Sequence, residues 1–90
     1  MKSEIREILN ASVKKLYSEE INDFDITRPK FKSHGNLSSN IALILGKELK
    51  DKPRKIAKNI VNEFPKKNWL SKIDIAGPGF INFFLTQEAQ

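Results

Sequence analysis

The chain has 90 residues, no cysteine, and 16 Lys+Arg against 11 Asp+Glu, a formal net charge of +5. That length builds one modest core, burying roughly 60–65% of the surface that an unfolded chain exposes, and the lack of cysteine excludes a disulfide framework and a thiolate metal site while fitting a reducing compartment. No apolar run reaches the ~18–20 residues of a membrane span, and the opening MKSEIREILN alternates charged and apolar residues where a secretory signal would be apolar, so the expectation is a cytoplasmic protein that spans no membrane.

The first predicted element is a helix, because Ile5, Ile8, Leu9, Val13, Leu16 and Tyr17 recur at three- and four-residue spacing and so share one face. Ser3 is the expected amino-terminal cap, and Glu4 and Glu7 suit the positive end of the helix dipole. Asp23 to Lys32 reads as extended: Phe24 and Ile26 alternate with polar neighbours, and Pro29 disfavours helical geometry at Arg28 and lacks an amide donor, which puts it at an edge or bend. His34-Gly35-Asn36 marks a turn. A second helix is expected from Ser38 or Ser39, with Ile41, Leu45 and Leu49 inward. A third opens at Pro53, buries Ile56, Ala57, Ile60, Val61 and Phe64, and stops at Pro65. Trp69 is expected to seal the space between that helix and the next strand.

A hairpin closes the chain. Ile73 and Ile75 alternate with Lys72 and Asp74, Gly77-Pro78-Gly79 reverses direction, and Phe80 to Leu85 returns. The pattern gives an α+β class, a two-layer domain over residues 1–90 with helices packed on one face of a small antiparallel sheet of about four strands.

Charge is uneven along this pattern. Residues 28–67 carry eleven basic side chains against Glu48, Asp51 and Glu63, for +8, whereas 1–27 sum to −2 and 68–90 to −1. A middle section this basic attracts polyanions, or is simply a lysine-rich solvated surface. The last strand bears on the choice. Its alternation points Ile81, Phe83 and Leu85 one way and Phe80, Asn82 and Phe84 the other. With the aliphatic-aromatic trio as the core face, Phe80 would offer a base a stacking surface and Asn82 its donors and acceptors. The competing reading packs Phe80 and Phe84 in the core and bonds Asn82 to a turn backbone.

Ordered motifs along nearly the whole chain carry a resemblance. Arg28-Pro29-Lys30, His34-Gly35-Asn36, Asn40, Ala42, Leu45 and Leu49 are followed by Pro53, Ile56, Ala57, Ile60 and Val61, and then by Ala76-Gly77-Pro78-Gly79-Phe80-Ile81-Asn82-Phe83 with Leu85. In order and spacing they are similar to the amino-terminal additional domain of arginyl-tRNA synthetases. The resemblance implies an α-β-β-α-β-β-like two-layer fold, a place against the tRNA elbow, and contact with a D-loop base near position 20 of the tRNA. Phe80 and Asn82 match the family's stacking and base-reading positions, after a glycine-rich turn at Gly77 and Gly79. Phe84 matches no such position and keeps its core reading. Arg28, Lys30 and Lys32 are the candidates for phosphate attraction.

The implied partners are tRNA-Arg and the catalytic domain of the same chain, with no membrane, no DNA and a monomeric state. ATP with magnesium and arginine are implied as substrates of the parent ligase, with no cofactor held by these residues, which are expected to be non-catalytic alone because the HIGH-type and KMSK-type motifs are missing. The family usually has aspartate where Asn36 stands, which puts a turn hydrogen bond in question.

Other constellations are bland. His34 is the only histidine, a turn residue rather than a ligand or general base. Glu19, Glu20, Asp23 and Asp25 read as a solvated helix end. The rival function is a helix-turn-helix-like DNA-binding module whose helix 53–64 shows Arg54, Lys55, Lys58, Asn59 and Asn62; a second rival is a basic protein-interaction surface.

Overall fold

The computed structural model describes residues 1–89. Its first helix, α1 (Lys2–Tyr17), buries Ile5, Leu9, Ser12 and Val13 along one stripe, and the Ser12 hydroxyl is satisfied by donating to the Ile8 carbonyl at 2.8 Å. The helix begins two residues earlier than a Ser3 cap requires. Ile5 N–H already donates to the Met1 carbonyl at 3.1 Å, so Ser3 lies within the helix and no side chain caps it. The other end closes on Ser18, whose left-handed backbone (φ 56°) lets its N–H reach the Lys14 carbonyl.

The segment expected to be extended from 23 to 32 pairs only over β1 (Ile26–Thr27) and then enters a 3-10 turn at Lys32–His34. Phe24 and Ile26 are nonetheless buried. Arg6 holds the segment to α1: its guanidinium lies 4.4 Å from the Phe24 ring centroid and donates to the Phe24 carbonyl at 3.1 Å.

Leu37–Ser39 forms β2, not the start of a helix. The inward alternation of Leu37 and Ser39, with partners on both sides, outweighs the capping preference of serine at these positions. Ser39 still serves the helix from inside the strand, its Oγ accepting from the Ile41 N–H at 3.2 Å. Helix α2 therefore runs Ile41–Leu49, and α3 runs Pro53–Glu63 with proline in its first turn as expected. Between them the Asp51 carboxylate accepts from the Lys52 N–H at 2.7 Å. That bond first, and the Lys55 ammonium second, hold its carboxyl below the ordinary value of 3.8.

Strands β3 (Leu70–Ala76) and β4 (Phe80–Leu85) complete a four-stranded antiparallel sheet of order β1-β2-β4-β3. The helices cover the face that carries Leu37, Ile81, Phe83 and Leu85, and the core forms between these layers. This is the expected α+β two-layer arrangement, with two helices between the strand pairs where the family pattern named one. Phe83, fully buried, stacks at a tilt on Phe64 with ring centroids 5.3 Å apart. Trp69 packs partly buried against this core.

Two glycines make the close approaches possible. A Cβ on Gly35 (φ +87°) would meet the Phe83 carbonyl oxygen at 2.7 Å, and one on Gly79 (φ +147°) would meet Pro53 at 2.8 Å. Both positions combine a backbone conformation that side chains disfavour with no room for one. Gly35→Ala and Gly79→Ala should each lower unfolding free energy by on the order of 1–3 kcal/mol, read as an earlier midpoint in urea unfolding.

Candidate nucleic-acid interface

The face of the sheet turned away from the helices follows from register alone. Asn82 on β4 sits opposite Ser38 on β2 and Asp74 on β3, and Ser38 in turn sits opposite Thr27 on β1. One pleat to either side of that row lie Phe80 opposite Ala76 and Phe84 opposite Lys72. Thr27, Ser38, Asn82 and Asp74 thus cross the open face as a polar row, flanked by two phenylalanines.

Phe80 is 40% exposed, as a stacking platform requires. Its ring lies beside the turn, close enough that a Cβ on Gly77 would be 3.9 Å from it. Gly77 is exposed and its carbonyl accepts from Arg54 Nη1 at 2.6 Å, so the start of α3 pins the turn. Gly79, expected at the interface, is buried against Pro53 and shapes the turn from inside.

Asn82 departs from expectation. It points to the open face, yet only 4% of it is exposed. A short side chain on the central strand is shaded by Phe80 and Phe84 along the strand and by its neighbours across it. Its hydrogen bond is neither to water alone nor to the turn backbone: the Ser38 hydroxyl donates to its Oδ1 at 2.7 Å. Among the described residues no sealed side-chain nitrogen or oxygen lacks a partner. The Nδ2 group of Asn82, which has no protein partner, therefore keeps contact with solvent.

Phe84, read as core, faces the open side instead. It is half-buried there because the Lys72 ammonium lies 4.5 Å from its ring centroid. Lys72 also pairs with Asp74 at 3.5 Å, both well exposed.

The basic residues are arranged differently from the expectation. Arg28 and Lys32 line a cleft of about 840 Å³ together with Lys2, Pro29, Asn36 and Leu85. Leu85 is at the opposite end of β4 from Phe80, roughly 17 Å away at ~3.4 Å per residue. Lys30 is exposed on the same loop but does not line the cleft. The cations beside the Phe80–Asn82 row are Lys72 and, at the turn, Arg54. Lys72 was findable by counting strand register outward from the turn. Ser38 was hidden by its reading as a helix cap.

Asn36 resolves the question its departure from aspartate raised. Its N–H donates to the Phe83 carbonyl at 2.9 Å and its Oδ1 accepts from the Leu85 N–H at 2.8 Å, an acceptor role that amide and carboxylate share. The exposed face of α3, by contrast, is engaged within the molecule. Lys55 pairs with Asp51 at 3.5 Å, Asn59 donates to the Tyr17 hydroxyl at 3.0 Å, and Arg54 is held on Gly77. Lys15 of α1 reaches Glu63 at 2.9 Å beside it. A recognition helix needs a free face, and this one is partly covered. His34 meets Phe31 edge to face, with centroids 6.1 Å apart, and among the described residues no group of three or more His, Cys, Asp or Glu is placed to hold a metal. No helix among them is long and apolar enough to cross a membrane.

A family model described as the arginyl tRNA synthetase N terminal domain matches residues 3–85. The chain belongs to that family. Among curated relatives, it is 39% identical to an arginine–tRNA ligase of a Shewanella species over 99% of this chain and 16% of the relative. It is 41% identical to that of Caldanaerobacter subterraneus over 96% of this chain and 16% of the relative. Against the Acidithiobacillus ferrooxidans ligase the identity is 51% over 72% of this chain and 11% of the relative. The chain thus spans only a small fraction of the length of these relatives. The arginyl-tRNA synthetase of Thermus thermophilus superposes with a TM-score of 0.81 at 20% identity, over 99% of this chain and 14% of that one. That of Plasmodium falciparum gives 0.77 at 23%, over 96% and 16%. At these identities the two structures establish the shared fold.

Within this arginyl-tRNA synthetase N-terminal domain, the two faces of β4 should separate on substitution. Phe83→Ala should cost ~3–5 kcal/mol of stability, whereas Phe80→Ala, which removes a partly exposed ring, should cost less than ~1 kcal/mol. Thermal and urea unfolding of the two variants check this.

Proposed function

We propose that this domain binds tRNA-Arg at the D-loop on behalf of an arginine–tRNA ligase, using the open face of its sheet. Phe80 stacks on an unpaired base and Asn82 hydrogen-bonds that base's edge. The observation that carries the reading is the pairing of an exposed aromatic ring with a neighbouring amide whose Nδ2 is unclaimed by the protein. Such pairs suit loop bases, which are already unstacked and present both a π-face and a hydrogen-bonding edge. Family membership supplies the nucleic acid, since the relatives that match along this chain are named arginine–tRNA ligases.

Burial of Asn82 refines the contact. A base cannot lie flat on this side chain; it must stack on Phe80 and turn one edge down to the row between Ser38 and Asp74. Lys72 and Arg54 supply positive charge near that position, and the loop bearing Arg28, Lys30 and Lys32 offers a second basic region about a strand length away, suited to backbone phosphates rather than to the base. In the full ligase reaction ATP, with magnesium, and arginine are substrates handled by a catalytic domain; the role of these residues is to hold the tRNA for it in the cytoplasm.

Titration of the 90-residue chain with tRNA-Arg at low salt tests this reading. Phe80→Ala should weaken binding ~5- to 150-fold, the equivalent of ~1–3 kcal/mol for one stacked base, with circular dichroism unchanged. Affinity should fall steeply with added salt for the variant and the unaltered chain alike, because the phosphate contacts remain. Unchanged binding by a folded Phe80→Ala chain would refute the open-face reading.

A further inference from the structure

The Ser38–Asn82 hydrogen bond has a consequence for what the site can recognise. A carboxamide is ambivalent: one end accepts, the other donates, and rotation by half a turn exchanges them. Here that freedom is restricted. Ser38 lies on β2 between two partners, with Thr27 opposite on one side and Asn82 on the other, so the sheet fixes where its hydroxyl stands. That hydroxyl donates to Asn82 Oδ1 at 2.7 Å. On the other flank Asn82 faces Asp74, whose carboxylate is exposed and acceptor-only when ionised. Rotating the amide would turn Oδ1 toward β3 and its carboxylate, setting acceptor beside acceptor. The serine hydroxyl can accept as well as donate, so it anchors the amide in either sense, and the acceptor-only carboxylate of Asp74 is what selects the orientation seen.

Resting on the base-reading role given to Asn82 above, we infer that Ser38 is a positioning residue that anchors the Asn82 carboxamide in the orientation the Asp74 carboxylate selects, with Nδ2 left for the ligand, so that the recognised base edge must present an acceptor, a ring nitrogen or a carbonyl oxygen. The side chain is short, shaded and 4% exposed, so it has no room to adapt by swinging to a different rotamer when the base changes. Discrimination then comes from the unmet donor: an edge that offers only an amino group leaves Nδ2 buried beneath it without a partner. Ser38 contributes without touching the base.

The test compares binding of the chain to two tRNA-Arg transcripts, one intact and one abasic at the D-loop nucleotide whose removal most weakens the unaltered protein. The ratio of the two affinities isolates the base contact from phosphate attraction. Ser38→Ala should reduce that ratio ~2- to 12-fold, the weight of one neutral hydrogen bond, while leaving affinity for the abasic transcript unchanged. Ser38→Thr, which keeps the hydroxyl, should retain the ratio. Asn82→Asp, which keeps the shape but cannot donate when ionised, should lower it as far as Asn82→Ala. A ratio that survives Ser38→Ala but collapses in Asn82→Ala would overturn the positioning role and leave the D-loop reading standing. Equal losses in the Ser38→Ala and Ser38→Thr variants would overturn the role of the hydroxyl, and a ratio retained by Asn82→Asp would overturn the donor polarity. A ratio unaffected by Asn82→Ala would remove the base-reading role itself, and the inference with it.

Discussion

Strand β4 is paired along both edges, and almost everything else in the molecule is placed by that double pairing. A central strand cannot slip by one residue without turning its core side chains to the other face. Here the slip is blocked at both ends. At the start, the turn Gly77-Pro78-Gly79 is held by Arg54 on the Gly77 carbonyl and by Pro53 against Gly79. At the other end, Asn36 clamps the strand through the Phe83 carbonyl and the Leu85 N–H. Ile81, Phe83 and Leu85 are thereby committed to the core, and Phe80, Asn82 and Phe84 to the open face. Stability and the proposed recognition share six residues without competing for the same side chains.

The same geometry explains which parts of the molecule were legible in sequence. The helices at 2–17 and 53–63 were readable because their apolar stripes have the helical period. The closing hairpin was readable because its turn residues and two-residue alternation agree with each other. Local pattern failed at Leu37–Ser39, where three residues are too few to display a period and serine is an equally good helix cap. That strand exists because two neighbours pair with it, which is a property of the assembled sheet. Burial of Asn82 and the half-buried, outward place of Phe84 belong to the same class: both depend on what stands across from them, Ser38 and Asp74 for one and Lys72 for the other. The direction of the β4 side chains could be read, but their exposure could not.

Electrostatics divides along similar lines. Net charge by segment located a basic middle of the chain, yet four of its cations end in three different places. Arg28 and Lys32 meet Lys2 at a cleft, Lys55 is drawn into a pair with Asp51, and Arg54 is spent on the turn. Lys72, from a segment of negative sum, lies instead on the open face of the sheet, over the Phe84 ring. A polyanion crossing this domain meets a single aromatic-and-amide site bordered by Lys72 and Arg54, with a separate basic loop roughly a strand length away. Such spacing suits a folded RNA, which presents an extruded base and its backbone at different points of one surface.

The central claim is that recognition occurs on the open face of the sheet. Chemical-shift mapping of the isotopically labelled chain, titrated with tRNA-Arg, tests it most directly. The account predicts that the signals of Ser38, Lys72, Asp74, Phe80 and Asn82 shift or broaden together, with the Asn82 side-chain amide among them, while Lys58 and Asn62 on the outer face of α3 stay in place. Perturbation centred on Lys58 and Asn62 with the β4 signals unmoved would contradict it, and would place binding on the helical side of the molecule.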